Sequence, residues 1–418
     1  MVVEAPCYEV GPGRFATESA FAEHLRMLRE RLGSRFDRFV VAAPSLADEV
    51  YDANRDHLGE VVLAEDGIEY VPLHTVGTSI PDYWLKAFPR ILPSMWRSVA
   101  RAEVVHAGLA HDIFRPTAFL AILFSILRRR KSLFFIDIDF RDKARKWYQL
   151  GEWSRRAYWL NHYVLDPLRS LQVMIAVRFC SLCLLKSAKL VEDFGRGRPN
   201  VRNFFNTSHS AEHVIPDAQL EKQLVRLRDP DEPLRLVFFG RFVKYKGLDR
   251  TIRAVAAARE KSGRPIELLL VGRGDQQPRL EQLIAELDAG GWARFHDPVP
   301  FGPQLFELLS RCSLNIATPL IEDTPRAAFD AMACGLPVLG FDIVYYQDLL
   351  ATGAVATSPW PDVDALAERI VELDADRERL ADMATRGVTV ARENTQEIWL
   401  DRRVRWTMEL LDPGSGAV

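Results

Sequence analysis

Short apolar runs of strand type alternate with amphipathic helical segments through the second half of the chain, and that alternation leaves few folds open. Leu234 to Phe239 (LRLVFF) and Ile266 to Val271 (IELLLV) are apolar at almost every position, and Gly240 and Gly272 close them. Between them Leu248, Ile252, Val255 and Ala256 recur at helical spacing. Beyond them come a helix bearing Leu280, Leu283, Ile284 and Leu287, a short strand near Phe295, and a helix around Phe306 to Leu309. A strand Ser313 to Ala317, a helix from Pro325 and a strand ending at Phe341 continue the series. A strand without a polar side has both faces covered, so the pattern predicts a parallel sheet between two helical layers. Right-handed crossovers then set the loops that follow the strands along one edge.

The N-terminal half repeats the theme less cleanly. Phe39 to Ala43, Glu103 to Ala107 and Leu133 to Asp139 read as strands, and Glu18 to Leu32 and Thr117 to Leu127 as helices. Two further helices are expected between Asp142 and Lys186, separated at Pro167, the second carrying Leu168, Leu171, Ile175, Phe179 and Leu182 on one face. The polar stretch Thr207 to Glu232, with Pro216 and Pro230, reads as a connection. The expectation is an α/β protein of two doubly wound, Rossmann-like domains facing each other across a cleft. Residues 1–210 form the first, 211–233 a linker and 234–397 the second, with a C-terminal helix over 398–418 returning to the first.

Composition narrows the function. With 48% hydrophobic and 27% charged residues in 418, the chain is neither disordered nor collagen-like. Lys plus Arg (54) nearly balances Asp plus Glu (57), so a net charge of -3 provides no global field for nucleic acid, and attraction has to be local. Cys7, Cys180, Cys183, Cys312 and Cys334 are odd in number and scattered, which suits a reducing, cytoplasmic setting. The N-terminus MVVEAPCYEV has no leader pattern, and the most apolar stretches fall short of the ~20 residues of a spanning helix. Peripheral contact with the inner face of a membrane stays open.

Three motifs follow strands and would share the ligand edge. In GRFVKYKG, Gly240 and Gly247 permit a tight turn while Arg241 and Lys246 aim cations at one anionic group. In VGRGD, Gly272 and Gly274 would let a ligand approach the backbone, but the third glycine of a dinucleotide fingerprint is missing. In PLIEDTPRAAFDAMACGLPV, Thr324 suits an N-cap, Pro325 the first helical position and Gly335 the residue after the helix. The amides at that helix start would bind a diphosphate, with Arg326 assisting. Glu322 and Asp330 can each accept hydrogen bonds from a pair of sugar hydroxyls, or can simply favour the helix dipole from exposed positions.

These segments, with E-x7-D running into AMACGLPV, resemble the donor-binding half of the family 4 glycosyltransferases from about Leu234 to Leu373. The resemblance implies the GT-B fold and transfer of a sugar from a UDP- or GDP-sugar to an acceptor hydroxyl, with retention of configuration and without a metal or other cofactor. It implies that Arg241 and Lys246 hold the donor diphosphate and that Glu322 contacts the transferred sugar. Asp330, where the family usually has Glu, would meet the ribose through a shorter side chain. Gly11-Pro12-Gly13 is similar to the family's Gly-rich loop, with Gly13 beside the donor phosphates, and EVVHAG with His106 resembles a strand end on the acceptor side. Where many members place a His this chain has FIDIDFRD, so Asp139 is the candidate for sugar or acceptor hydroxyls and Asp137 is structural. A non-catalytic nucleotide-sugar binding subunit and a sugar-nucleotide epimerase on the same fold remain alternatives.

Strand alternation would put Asp137 and Asp139 on one face, as a metal site wants, yet the neighbouring motifs point to a metal-free fold. Cys180 and Cys183 sit in an apolar stretch without a second pair, which suits core packing. The stretch 128–178 interleaves many cations with Trp147, Trp153 and Trp159. That suits an anionic membrane surface where a lipid-linked acceptor is met, and equally an acceptor groove for a glycan or small molecule, or a solvated helix face.

Overall fold

The computed structural model describes residues 1–55, 58–323 and 326–412. It is an α/β protein in two compact units. The first comprises Met1–Asp137, Trp159–Phe204 and the chain from Leu400, the second Ile138–Tyr158 and Phe205–Trp399.

In the first unit the strands are β1 (Tyr8–Gly11), β2 (Arg14–Glu18), β3 (Phe39–Ser45), β4 (Leu58–Val62), β5 (Ile68–Thr75), β6 (Val104–Gly108), β7 (Lys131–Ile136), β8 (Leu182–Leu185) and β9 (Val201–Asn203). β6 to β9 pair in parallel in sequence order, and β3 pairs in parallel with β5. Val2 bridges to both Ala42 and Ala107 and so joins the two parallel parts. β1, β2 and β4 form a separate antiparallel sheet. The helix Thr117–Leu127 runs as its apolar run predicts.

Three local expectations change. β7 ends at Ile136, so Asp137 and Asp139 lie past the strand and share no pleated face. The stripe ending at Leu182 is no single helix: Asp166–Phe179 stops before Cys180, and β8 follows, with Cys180 and Cys183 buried in the core. The polar connection contains the helix Asp217–Arg228, whose Leu220, Leu224 and Leu227 enter the core of the second unit. The prolines that suggested a linker stand just outside it.

The second unit is built on β10 (Leu234–Phe239), β11 (Ile266–Val271), β12 (Ala293–His296), β13 (Leu314–Ala317), β14 (Val338–Phe341) and β15 (Val355–Ser358), all parallel. Their order is β12-β11-β10-β13-β14-β15. The apolar strands are explained by packing on both sides: Leu236 and Phe238 of β10 belong to one core cluster, Val237 and Phe239 to another. The chain starts at the centre, runs to β12, then crosses back to β13. The loops after β10 and β13 therefore flank the point where the winding reverses, the place where ligands bind in open α/β sheets.

Candidate active site

At this switch point three loops of the second unit are fastened together through backbone contacts. The loop after β10 meets the loop after β11: Phe242 N donates to Arg273 O at 2.8 Å and Gln276 N to Phe242 O at 3.0 Å. A Cβ on Gly272 would stand 2.0 Å from the Gly240 carbonyl oxygen, and one on Gly274 2.2 Å from that of Phe242. These glycines serve loop-on-loop packing, where the sequence suggested room for a ligand. Gly240 itself has φ 137°, which also favours glycine. On the other side Leu320 N donates to Tyr245 O at 2.7 Å, and the Thr318 hydroxyl donates to the Gly247 carbonyl at 2.9 Å.

This frame sets the charged side chains. Arg241 is exposed and has no hydrogen bond or ion pair from its guanidinium among the described residues. The Lys246 ammonium pairs with Asp323 and lies 5.2 Å from the Tyr245 ring centre. Next to Asp323, Glu322 is 5% exposed and accepts from Lys146 Nζ at 2.9 Å and from the Val344 amide at 3.1 Å. Burial pushes the Glu322 carboxyl above its usual range, and the Lys146 charge opposes that push. Lys146, equally buried, has the Trp360 ring centre 5.6 Å from its ammonium. It arrives on the helix Lys143–Gln149, part of the segment Ile138–Tyr158 that belongs to the second unit. Lys244 ties the same segment down through Glu152 at 2.5 Å.

Asp139 lies in that segment too. Its carboxylate takes a forked bond from Arg141, with Nε 2.9 Å from Oδ1 and Nη2 2.6 Å from Oδ2, and it adds a smaller upward push on Glu322. Arg241, Lys246, Glu322 and Asp139 thus belong to one unit and, with Arg326 exposed at the start of the helix Arg326–Ala333, to one group of loops. Thr324 and Pro325 lie outside the described residues.

Other expected site residues are placed differently. Asp330 is buried in the helix, where an exposed residue was one expectation. Its Oδ1 is 3.9 Å from His209 Nδ1, while His209 Nε2 lies 2.8 Å from the Ala391 carbonyl oxygen. Desolvation pushes the Asp330 carboxyl up to about 8, against the opposing charge of Arg326 and the His209 amide. Gly13, with φ 70°, occupies the turn between β1 and β2 in the first unit, and the helix follows β2 rather than the glycines. His106, in β6 of that unit, has its ring nitrogens 2.9 Å from Arg403 Nη2. Burial and the Arg403 charge keep its pKa well below the ordinary histidine value. Asp137 acts on Arg403 in turn, opposing the burial that lowers the guanidinium to about 10. Among the described residues no three His, Cys, Asp or Glu side chains gather as a metal site would need. No described helix is long and apolar enough to cross a membrane.

Sequence reasoning missed Lys146, which is 176 positions from its partner Glu322. The only local signal was its place in a cation-rich stretch. It missed Asp323 as the partner of Lys246 as well, although the acid stands beside Glu322 in the motif.

Residues 221–389 match the family described as Glycosyl transferases group 1. No curated protein matches the chain in sequence. Among solved structures, Anabaena HepE in complex with UDP superposes with a TM-score of 0.64 at 16% identity, covering 98% of this chain and 99% of that one. Sucrose-phosphate synthase from Thermosynechococcus elongatus gives 0.66 at 17% identity over 99% of each chain. WaaG, a glycosyltransferase involved in lipopolysaccharide biosynthesis, gives 0.61 at 14% identity over the whole of both. The chain has the GT-B fold, and its residues 221–389 carry a glycosyltransferase group 1 domain.

Proposed function

We propose that the protein transfers a sugar from a UDP- or GDP-sugar to an acceptor hydroxyl, with retention of configuration and without a metal, and that the second unit holds the donor. The observation that carries this reading is the placement of Arg241 and Lys246 after β10 and of Glu322 after β13, the two loops that flank the switch point in the region matching the group 1 family. The structures of HepE with UDP and with UDP-glucose support a nucleotide-sugar donor on this fold.

As the glycosidic bond breaks, negative charge grows on the leaving diphosphate, and fixed cations lower the barrier by meeting it there. Arg241 offers a free planar fork for phosphate oxygens, and Lys246 a point charge shared with Asp323. Glu322 is held by Lys146 and the Val344 amide at one oxygen, which orients its other oxygen toward a donor hydroxyl. Lys146 acts through Glu322 and is a positioning residue.

Release of nucleotide diphosphate from a panel of UDP- and GDP-sugars, with and without acceptor glycans, glycolipids and small alcohols, tests the reading. Lys246→Ala should slow transfer by about 10² to 10³, the scale of one preorganised charge. Activity within a few fold of the unaltered protein would remove Lys246 from the phosphate site. The anomeric proton coupling of the product should report retention, and activity should survive a chelator. A chain that takes up the donor and never releases diphosphate would instead be a binding subunit.

A further inference from the structure

We propose that the first unit carries a docking surface for an anionic lipid bilayer, at the sheet edge from which β6, β7, β8 and β9 start. This goes beyond the reaction assigned above and does not depend on it. The four strands are parallel, so the segments entering them share one edge. Arg101 stands before β6, Arg128, Arg129 and Arg130 before β7 with Lys131 opening it, Arg178 before β8 and Arg198 before β9, all exposed. The juxtaposition is direct: Ser132 N donates to Ser181 Oγ at 3.2 Å, and the Arg130 guanidinium reaches the Ala100 carbonyl.

None of these cations pairs with a carboxylate among the described residues; Arg128 lies over the Trp96 ring at 4.0 Å instead. The acid within these entry segments, Glu103, pairs with Arg35 at 3.3 Å. In a chain of net charge -3 this is a local positive field, which its scatter over sequence positions 101 to 198 conceals. Two large apolar side chains stand among the cations, Leu127 at 69% exposure and Phe179 at 58%. From Phe179 the outer face of the helix Asp166–Phe179 continues apolar and exposed through Met174, Leu171 and Leu168.

A cationic field around exposed apolar side chains fits lipid headgroups over acyl chains. A second copy of the chain fits poorly, because a two-fold axis would set cations against cations. A soluble polyanion would use the charges and leave Leu127 and Phe179 in water. The surface also redraws the basic stretch read from the sequence: Trp147 and Trp153 lie in the segment that packs with the second unit, while Arg101 and Arg198 join from outside the stretch.

The test is co-sedimentation of the full chain with vesicles of phosphatidylcholine alone or with one quarter phosphatidylglycerol. Binding is expected to the anionic vesicles, with release by 0.5 M salt, on the order of the screening a surface field undergoes. The triple change Arg129→Glu, Lys131→Glu and Arg178→Glu should weaken it by about a hundredfold. Leu127→Ser with Phe179→Ser should weaken it while leaving the salt dependence in place, with unfolding temperature confirming an intact fold. Equal binding to both vesicle types, no binding to either, or capture by heparin without capture by vesicles would each overturn the proposal. The salt response of the unaltered protein decides the matter should the charge-reversed variant fail to fold.

Discussion

Removing the positive end of the Lys146–Glu322 pair would leave a buried carboxylate with no cation beside it. Lys146→Met should therefore cost about 3–5 kcal/mol, as stranded buried charges do. Lys146→Met combined with Glu322→Gln should regain most of that loss in denaturant titration; if both variants are equally unstable, the pair is not electrostatically coupled. Asp330 makes a different prediction. Its carboxyl titrates at about 8 in the folded chain against 3.8 as the ordinary value. Between those values the folded state keeps a proton that the unfolded chain has released, so stability falls as pH rises. The unfolding temperature should thus drop from pH 5 to pH 8.5, and Asp330→Asn, which keeps the neutral shape, should flatten the drop. A profile unchanged by the substitution would contradict the assignment.

At the scale of loops and elements, the site depends on backbones approaching too closely for any side chain. Gly274→Ala would press a Cβ against Phe242 O, at 2.2 Å, whereas Gly290→Ala meets nothing within 4 Å. The first should destabilise by about 1–3 kcal/mol, the range for overpacking, and the second hardly at all. Equal unfolding free energies would show that the loops are not held as described. These contacts also explain what the sequence conveyed. The glycines were legible as glycines needed after strands, but their partners, Gly240 O and Phe242 O, could not be read from spacing. The helix Asp217–Arg228 was hidden because its Leu220, Leu224 and Leu227 sit among charged residues and next to prolines. β8 was hidden because LCLL continues an apolar helical stripe without a break residue, and only its pairing with β7 and β9 makes it a strand.

Across the whole molecule, the doubly wound second unit was the most legible part, because its central strands β10 and β14 are apolar on both faces and the helices between strands have their own period. The pairing of Lys146 with Glu322 was the least legible, since it needs the segment Ile138–Tyr158 to pack with the second unit, and no local pattern announces that. What the molecule does with this frame turns on whether a sugar nucleotide sits at the loops after β10 and β13. Calorimetric titration of the full chain with UDP, GDP and their sugars measures this directly. One saturable site for one of these nucleotides is expected, weakened about ten- to a hundredfold by Arg241→Ala or Lys246→Ala, the scale of a hydrogen bond to a charged group. No uptake of any sugar nucleotide, or uptake that both substitutions leave unchanged, would contradict it.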